Sequence, residues 1–389
     1  MQPSDLRIAL VSGNYNYVRD GANQALNRLA DYLLRQGAQV RAYSPTVANP
    51  AIEPNVEIVH IPSVPIPLRP EYRLPIALTR SARRDLAEYQ PNIVHIASPD
   101  IVSHRAVSWA RRRNVAAIAS IHTRFDTYLS YYHLEFLEPA ARAIMRRLYR
   151  RCDAIVVPAE STAAVMHAQR MNRDISIWTR GVDREQFHPG RRDLDWRRGI
   201  GIEDDALVVA FLGRVVMEKG LDLFADAIDA LAERNVKNRV LVIGEGPARP
   251  WFEQRLPDAI FIGQQEGDDL ARALASSDVL LNPSVTETFG NVTLEAMACG
   301  LPVVAAVATG ATSLVREGDT GILVEPGDEG AFADALEAYA KDPEFRRRHG
   351  EAGLAYAQTM DWDRINAAVV RVYLRVIEKR ARLARMTAR

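Results

Sequence analysis

Thr286-Glu-Thr-Phe-Gly-Asn-Val-Thr-Leu-Glu-Ala-Met-Ala298 sets two carboxylates, Glu287 and Glu295, eight residues apart. Glu287 lies in a loop with Phe289 and Gly290. Glu295 lies inside an apolar run of helical character. A carboxylate among Leu, Ala and Met is costly to desolvate unless hydrogen-bond donors meet it. A ligand rich in hydroxyls supplies such donors. The run Phe289, Gly290, Asn291, Val292 opens the helix, so its amides can face an anion. One segment thus offers acceptors for hydroxyls and donors for phosphate, the profile of a nucleotide-sugar site.

Around this segment, short β-branched runs alternate with helical patterns. Residues 6–11, 40–43, 56–59, 93–96, 117–121 and 155–157 read as strands. A helix over 23–34 places apolar residues at 26, 29, 30, 33 and 34. Residues 62–75 hold five prolines and read as irregular, too proline-rich for an internal strand or helix. Residues 181–190 form the best linker. The pattern then restarts, with strands at 207–212, 240–243, 260–262, 279–281 and 303–306 and a last helix over 362–384. Strands separated by helices imply parallel βαβ units. Two doubly wound α/β halves follow, with a ligand cleft expected between them.

The 389 residues suffice for two domains with large cores. Cys152 and Cys299 are the only cysteines, so no disulfide framework is implied and a reducing compartment fits. No apolar run reaches membrane-spanning length and no signal-peptide pattern opens the chain, which points to the cytoplasm. The zero net charge hides an asymmetry. Residues 1–189 carry 24 basic and 17 acidic side chains, residues 190–363 carry 17 and 31, and residues 364–389 carry 8 and 1. Within residues 101–151 the ratio is 10 to 3. A basic front half and tail suggest an anionic membrane surface as partner; solvated arginines on helix faces are the plainer reading. Arg111, Arg112, Arg113, Arg146, Arg147, Arg150 and Arg151 are the side chains this concerns. No nucleic-acid partner is expected.

Further groups fall at strand ends. Gly213-Arg214 closes a strand and Glu218-Lys219-Gly220 follows. Arg214 offers a bidentate fork and Lys219 a point charge, and both can converge on one polyanion. Two fixed cations would stabilise a departing diphosphate without metal. Asp20-Gly21 lies between the first strand and first helix, where a backbone can approach phosphate. No G-x-G-x-x-G accompanies it, so a dinucleotide site is unsupported. His122 ends a strand, with His95 as a competing candidate. Phe125, Tyr128, Tyr132 and Phe136 share one face if helical, as core or as the lining of a sugar or lipid groove. No Cys/His cluster has metal-site spacing and no Ser-His-Asp arrangement appears, so no metal and no cofactor are expected.

Taken in order, Gly213-Arg214…Lys219-Gly220, Gly244-Glu-Gly-Pro247, Phe261-Ile-Gly263, Glu287-Thr-Phe-Gly290…Leu294-Glu-Ala-Met297, Gly300-Leu-Pro-Val-Val-Ala305 and Gly318-Asp-Thr-Gly321…Pro326-Gly-Asp328 resemble the retaining nucleotide-sugar glycosyltransferases of family 4, which have the GT-B fold. The resemblance spans nearly the whole chain. It implies a Rossmann-like acceptor domain over 1–185, a nucleotide-sugar domain over 186–363, and a helix over 364–389 that crosses back to the first domain. By position it implies that Arg214 and Lys219 bind the donor diphosphate. Glu287 would bind donor-sugar hydroxyls, with backbone amides of Phe289, Gly290, Asn291 and Val292 assisting. Glu295 would bind the ribose, His122 would sit beside the transferred sugar, and Gly21 and Gly213 would approach phosphate. Base contacts would come largely from backbone around Phe261–Gln265, Gly263 and Gln265 among them. This chain departs from the family pattern at Asp20-Gly21, where paired glycines are frequent, and at Ala308-Thr-Gly-Ala311.

Within the family, Pro91–Pro99, Glu71–Leu74 and Glu287–Gly290 look closest to the lipid-directed α-mannosyltransferases and sulfolipid synthases. That branch implies GDP-mannose or a UDP-hexose as donor, a membrane lipid or glycan as acceptor, and a place on the inner membrane face. A sugar-nucleotide epimerase on the same fold and a non-catalytic nucleotide-sugar binding protein are the alternatives.

Overall fold

The computed structural model describes residues 1–18, 20–66, 69–122, 135–287, 289–308 and 310–387. The chain divides into two compact units, Met1–Thr179 with Trp362–Arg389, and Arg180–Asp361.

In the first unit, β1 (Arg7–Val11), β2 (Gln39–Ser44), β3 (Glu57–His60), β6 (Ile93–Ile96), β7 (Ala116–Ser120), β8 (Ala154–Val157) and β9 (Ile175–Ile177) form one parallel sheet. Their order is β3-β2-β1-β6-β7-β8-β9. The central strands are buried along almost their whole length, because a parallel sheet is covered on both faces. Crossovers come from α1 (Gly21–Arg35), α2 (Arg80–Tyr89), α3 (Ile101–Arg112), α4 (Glu138–Tyr149) and α5 (Glu160–Ala168). Leu26, Leu29, Ala30 and Leu33 of α1 are buried at helical spacing on one face of the sheet.

Residues 62–75 are not irregular. They form a two-stranded antiparallel ribbon, β4 (Ser63–Ile66) with β5 (Arg69–Pro75). The ribbon pairs with neither large sheet, so its prolines break no interior ladder. Two strands were not evident in the sequence, β9 and β15 (Gly321–Val324). The first has three residues, and the second opens on a glycine directly after a turn, so neither gives a clear period.

The second unit carries β10 (Leu207–Leu212), β11 (Asn238–Ile243), β12 (Ile260–Gly263), β13 (Val279–Asn282), β14 (Val303–Ala306) and β15. Their order is β12-β11-β10-β13-β14-β15, all parallel. Its helices are α6 (Leu194–Gly199), α7 (Leu221–Glu233), α8 (Arg249–Arg255), α9 (Gly267–Ala275), α10 (Asn291–Ala298), α11 (Glu329–Lys341) and α12 (Pro343–Ala357). Strand order reverses between β10 and β13, and between β1 and β6 in the first sheet. Loops splay apart at such switch points and leave a crevice at the carboxyl ends of the strands.

The last helix, α13 (Trp362–Thr387), buries Ile365, Val369, Val370, Tyr373 and Val376 against Leu6, Ile8 and Leu29 of the first unit. Tyr373 Oη lies 2.6 Å from His95 Nδ1. Among the described residues no helix is long and apolar enough to cross a membrane.

Candidate functional site

The loops after β10 and β13 meet at the second switch point. After β10, Gly213 adopts φ +139° with open space where a side chain would project. The neighbouring loop explains one reason for glycine nearby. A Cβ on Gly244 would lie 1.9 Å from the Gly213 carbonyl oxygen, so only glycine lets these two loops touch. Arg214 is exposed. Lys219 ends a single 3₁₀ turn, Met217–Lys219, and is half-buried.

Lys219 Nζ lies 2.7 Å from Glu287 Oε1. Asn282, the last residue of β13, donates through Nδ2 to Glu287 Oε2 at 3.3 Å and to Thr293 Oγ1 at 3.2 Å. The carboxylate is therefore held from two sides, by a cation on the β10 loop and by an amide at the end of β13. Asn282 also ties that loop to the first turn of α10. The sequence reading did not include it. Its signal was a polar residue, now buried, closing the apolar run before Pro283-Ser284.

Helix α10 starts after Gly290, at φ +91°, and among the described residues no side chain caps it. The amides of Asn291 and Val292 thus stand at an open, positively polarised helix end beside Glu287. Phe289 is buried in the core. Gly310 lies against this loop; a Cβ there would be 2.8 Å from the Glu287 carbonyl oxygen and 2.9 Å from the Phe289 carbonyl carbon. The single glycine in the Ala308–Ala311 stretch is the one the loop's close approach requires.

Glu295 sits one turn further along α10. Burial, with repulsion from Glu287 second, raises its carboxyl from 4.5 to about 8. The structure thus brings Lys219, Glu287, Asn291, Val292 and Glu295 into one neighbourhood. Gly263 ends β12, two strands away, and Gln265 follows it; Gly263 accepts from the Gly244 amide at 2.9 Å and Gln265 Nε2 donates to the Ile262 carbonyl at 2.6 Å.

In the first unit, Gly21 is the first residue of α1. The Asp20 carboxylate caps the helix, accepting from Ala22 N at 3.0 Å and Asn23 N at 2.9 Å. These are amides that paired glycines would leave open to a ligand. His122 follows β7; its Nε2 lies 2.7 Å from Ser120 Oγ, and its ring meets Trp178 edge-on at 5.3 Å. His95 is fully buried between Trp178 and Tyr373, and burial lowers it to about 3. A histidine held neutral in the core, with Tyr373 on Nδ1, is a packing element, which separates it from His122. Phe125, Tyr128 and Tyr132 lie outside the described residues, and Phe136 is exposed. Among the described residues no group of His, Cys, Asp or Glu side chains is arranged to hold a metal ion.

Comparison with known proteins fits this geometry. The family model for glycosyl transferases group 1 matches residues 206–342, and that for Glycosyltransferase Family 4 matches residues 19–186. The chain is 30% identical to the GDP-mannose-dependent alpha-mannosyltransferase of Mycolicibacterium smegmatis, covering 97% of this chain and 99% of that protein. It is 31% identical to the enzyme of the same name from Mycobacterium tuberculosis, over 85% and 87%. Its identity to the sulfoquinovosyl transferase SQD2 of Arabidopsis thaliana is 30%, over 93% and 71%. Among solved structures, sucrose-phosphate synthase from Thermosynechococcus elongatus superposes with a TM-score of 0.76 at 20% identity, over 96% and 99% of the two chains. Anabaena HepE in complex with UDP does so at 0.75 and 19%, over 94% and 99%. The two structures speak to the fold alone.

Proposed function

Because the chain belongs to glycosyltransferase family 4, we propose that it moves a hexose from a nucleotide-diphosphate sugar, GDP-mannose or a UDP-hexose, to a lipid or glycan acceptor. The observation that carries this reading is the Lys219–Glu287 pair beside the start of α10, which no side chain caps among the described residues. It sets a cation, a hydroxyl acceptor and anion-facing amides at one topological switch point.

In this reading Lys219 and Arg214 neutralise the departing diphosphate, aided by the amides of Asn291 and Val292. Glu287 accepts from donor-sugar hydroxyls and Glu295 from the ribose. Gly213 leaves room for phosphate, while Gly263 and Gln265 lie toward the base. The bond from the anomeric carbon to the phosphate oxygen breaks, and its electrons stay on the diphosphate. The acceptor oxygen bonds the same face of that carbon, and its proton passes to the leaving phosphate, which retains the configuration. Two fixed cations supply the charge that a metal would otherwise provide. His122, of the first unit, is the proposed contact to the transferred sugar, and Gly21 has a lesser part because Asp20 already engages its helix end.

The reading extends to the inner face of a membrane. Among the described residues Arg111, Arg112, Arg113, Arg146, Arg147, Arg150 and Arg151 have no acidic partner. Burial, then Arg111 and Arg147, lower the Arg151 guanidinium. The likeness to a GDP-mannose-dependent mannosyltransferase and a sulfoquinovosyl transferase supports a donor and acceptor of these kinds.

The test is a thermal-shift panel of nucleotide sugars followed by product analysis with a membrane-lipid extract. Stabilisation by one donor, with labelled hexose in a lipid or glycan, is expected. An altered nucleotide sugar released without acceptor would instead indicate an epimerase, and binding without turnover a binding protein.

A further inference from the structure

Two arginine-rich grooves lie on the surface, one in each unit. They differ in a way that separates structure from binding. The groove of the second unit, about 660 Å³, is lined by Arg191, Arg192, Arg198 and Arg272 together with Asp193, Asp195 and Asp268. Each of its arginines is ion-paired, to Asp268, Asp278, Asp195 and Asp269 respectively. Its charge is neutralised from within.

The groove of the first unit, about 470 Å³, lies between α2 and α3. Arg80, Arg83, Arg84, Arg112 and Arg113 surround it with Trp109, and no acidic side chain is among its lining residues. Only Arg84 has an acidic partner among the described residues, Glu88. Arg113 stacks on the Trp109 ring at 4.8 Å. The Trp109 indole nitrogen is buried without a hydrogen-bond partner.

Local structure does not account for this charge. Arg80, Arg83 and Arg84 occupy the start of α2, whose first turn holds no acid. Cations there oppose the helix dipole and repel one another at three- and four-residue spacing. Arg112 and Arg113 suit the end of α3, but bring their charge toward the same groove. Like charges gathered against these costs, with Glu88 on Arg84 as their one acidic partner among the described residues, favour an external anion.

We propose that this groove binds the phosphate of an acidic membrane lipid headgroup. Guanidinium forks match phosphate oxygens in pairs. The groove is open, and Arg112 continues it toward Arg111, whose Nη1 donates to the Arg151 carbonyl at 3.1 Å. An open groove merging into a basic surface suits a phosphate presented from a plane. The inference rests on the membrane reading above and adds a discrete site to it.

The test compares two doubles of equal charge by sedimentation with vesicles. Arg83→Gln/Arg112→Gln removes two groove arginines. Arg105→Gln/Arg147→Gln removes two that are also exposed and lie outside it. The wild type should bind phosphatidylglycerol vesicles and not phosphatidylcholine vesicles. The groove double should lose at least about tenfold in affinity, and the control double about threefold or less. The groove double should also melt higher than the wild type without lipid, because repulsion is relieved. Nucleoside-diphosphate stabilisation, unchanged in both, separates loss of the site from loss of the fold. Equal losses in both doubles would overturn the groove and leave the membrane reading standing. No wild-type binding to phosphatidylglycerol would overturn both. Stabilisation by soluble glycerol phosphate without vesicle binding would overturn the lipid as the source of the phosphate.

Discussion

Lys219 and Glu287 come from loops 68 residues apart in sequence and face each other with Nζ 2.7 Å from Oε1. The two side chains have separate proposed partners, diphosphate and sugar hydroxyls. Their pairing means that each holds the other in place before a donor is bound. Removing either one alters the other's position and charge environment.

Lys219→Ala should lower turnover by about a hundredfold or more, as for loss of a preorganised transition-state charge. The double variant Lys219→Ala/Glu287→Gln should lose less than the sum of the two single losses, since the residues are in contact. Steady-state kinetics on the three proteins measures this. Full additivity would mean that the pair does not act as a unit.

Glu287→Gln should impair sugar transfer more than nucleoside-diphosphate binding. Glu295→Ala should weaken that binding instead, because its proposed partner is the ribose. Calorimetry with nucleoside diphosphate on both variants ranks them, and the reverse order would exchange their roles.

Glu295 also predicts a pH dependence. Its folded value, about 8, lies above the unfolded 4.5. Between these values the unfolded chain binds fewer protons than the folded one, so stability falls as pH rises through the window and levels off above it. Melting temperature should therefore decline from about pH 5 to about pH 8 and level off above that, and Glu295→Gln should flatten the decline. Parallel slopes in the two proteins would remove Glu295 as the cause.

Gly310→Ala should disable transfer at a cost of about 1–3 kcal/mol in stability. The added Cβ meets backbone, the Glu287 carbonyl oxygen and the Phe289 carbonyl carbon, and cannot be relieved by a rotamer change. Denaturant melts and rate assays together check it; a fully active Gly310→Ala protein would show that the loop does not need this approach.

Transfer should proceed at an unchanged rate in excess chelator, because Arg214 and Lys219 are the proposed source of positive charge at the leaving group. Activity lost to chelator and restored by a divalent ion would replace that assignment with a metal.

Much of this was legible in the chain because parallel βαβ units write themselves locally. The apolar runs at 93–96, 207–212 and 303–306 coincide with strands, and the 362–384 periodicity with most of α13. The Pro62–Pro75 ribbon was not legible, since its pairing depends on two segments finding each other outside any core. Within the site, Lys219 and Glu287 were recognisable as separate charges near strand ends. Asn282 was not, because its role is set by two neighbours, at 287 and 293, that only the folded β13 loop brings to it.

The sequence by itself determined the two α/β halves, the glycine positions and the carboxylates of the Thr286–Ala298 segment. These follow from hydrophobic period and residue type, which are local. Only the tertiary structure decided that Lys219 pairs with Glu287, that Asp20 occupies the amides at the start of α1, and that the α2 arginines share a groove with those of α3 while the arginines of the second unit's groove are neutralised. Such outcomes depend on which loops and helices pack side by side, and Coulomb and hydrogen-bond energies act over a few ångströms, whatever the distance along the chain.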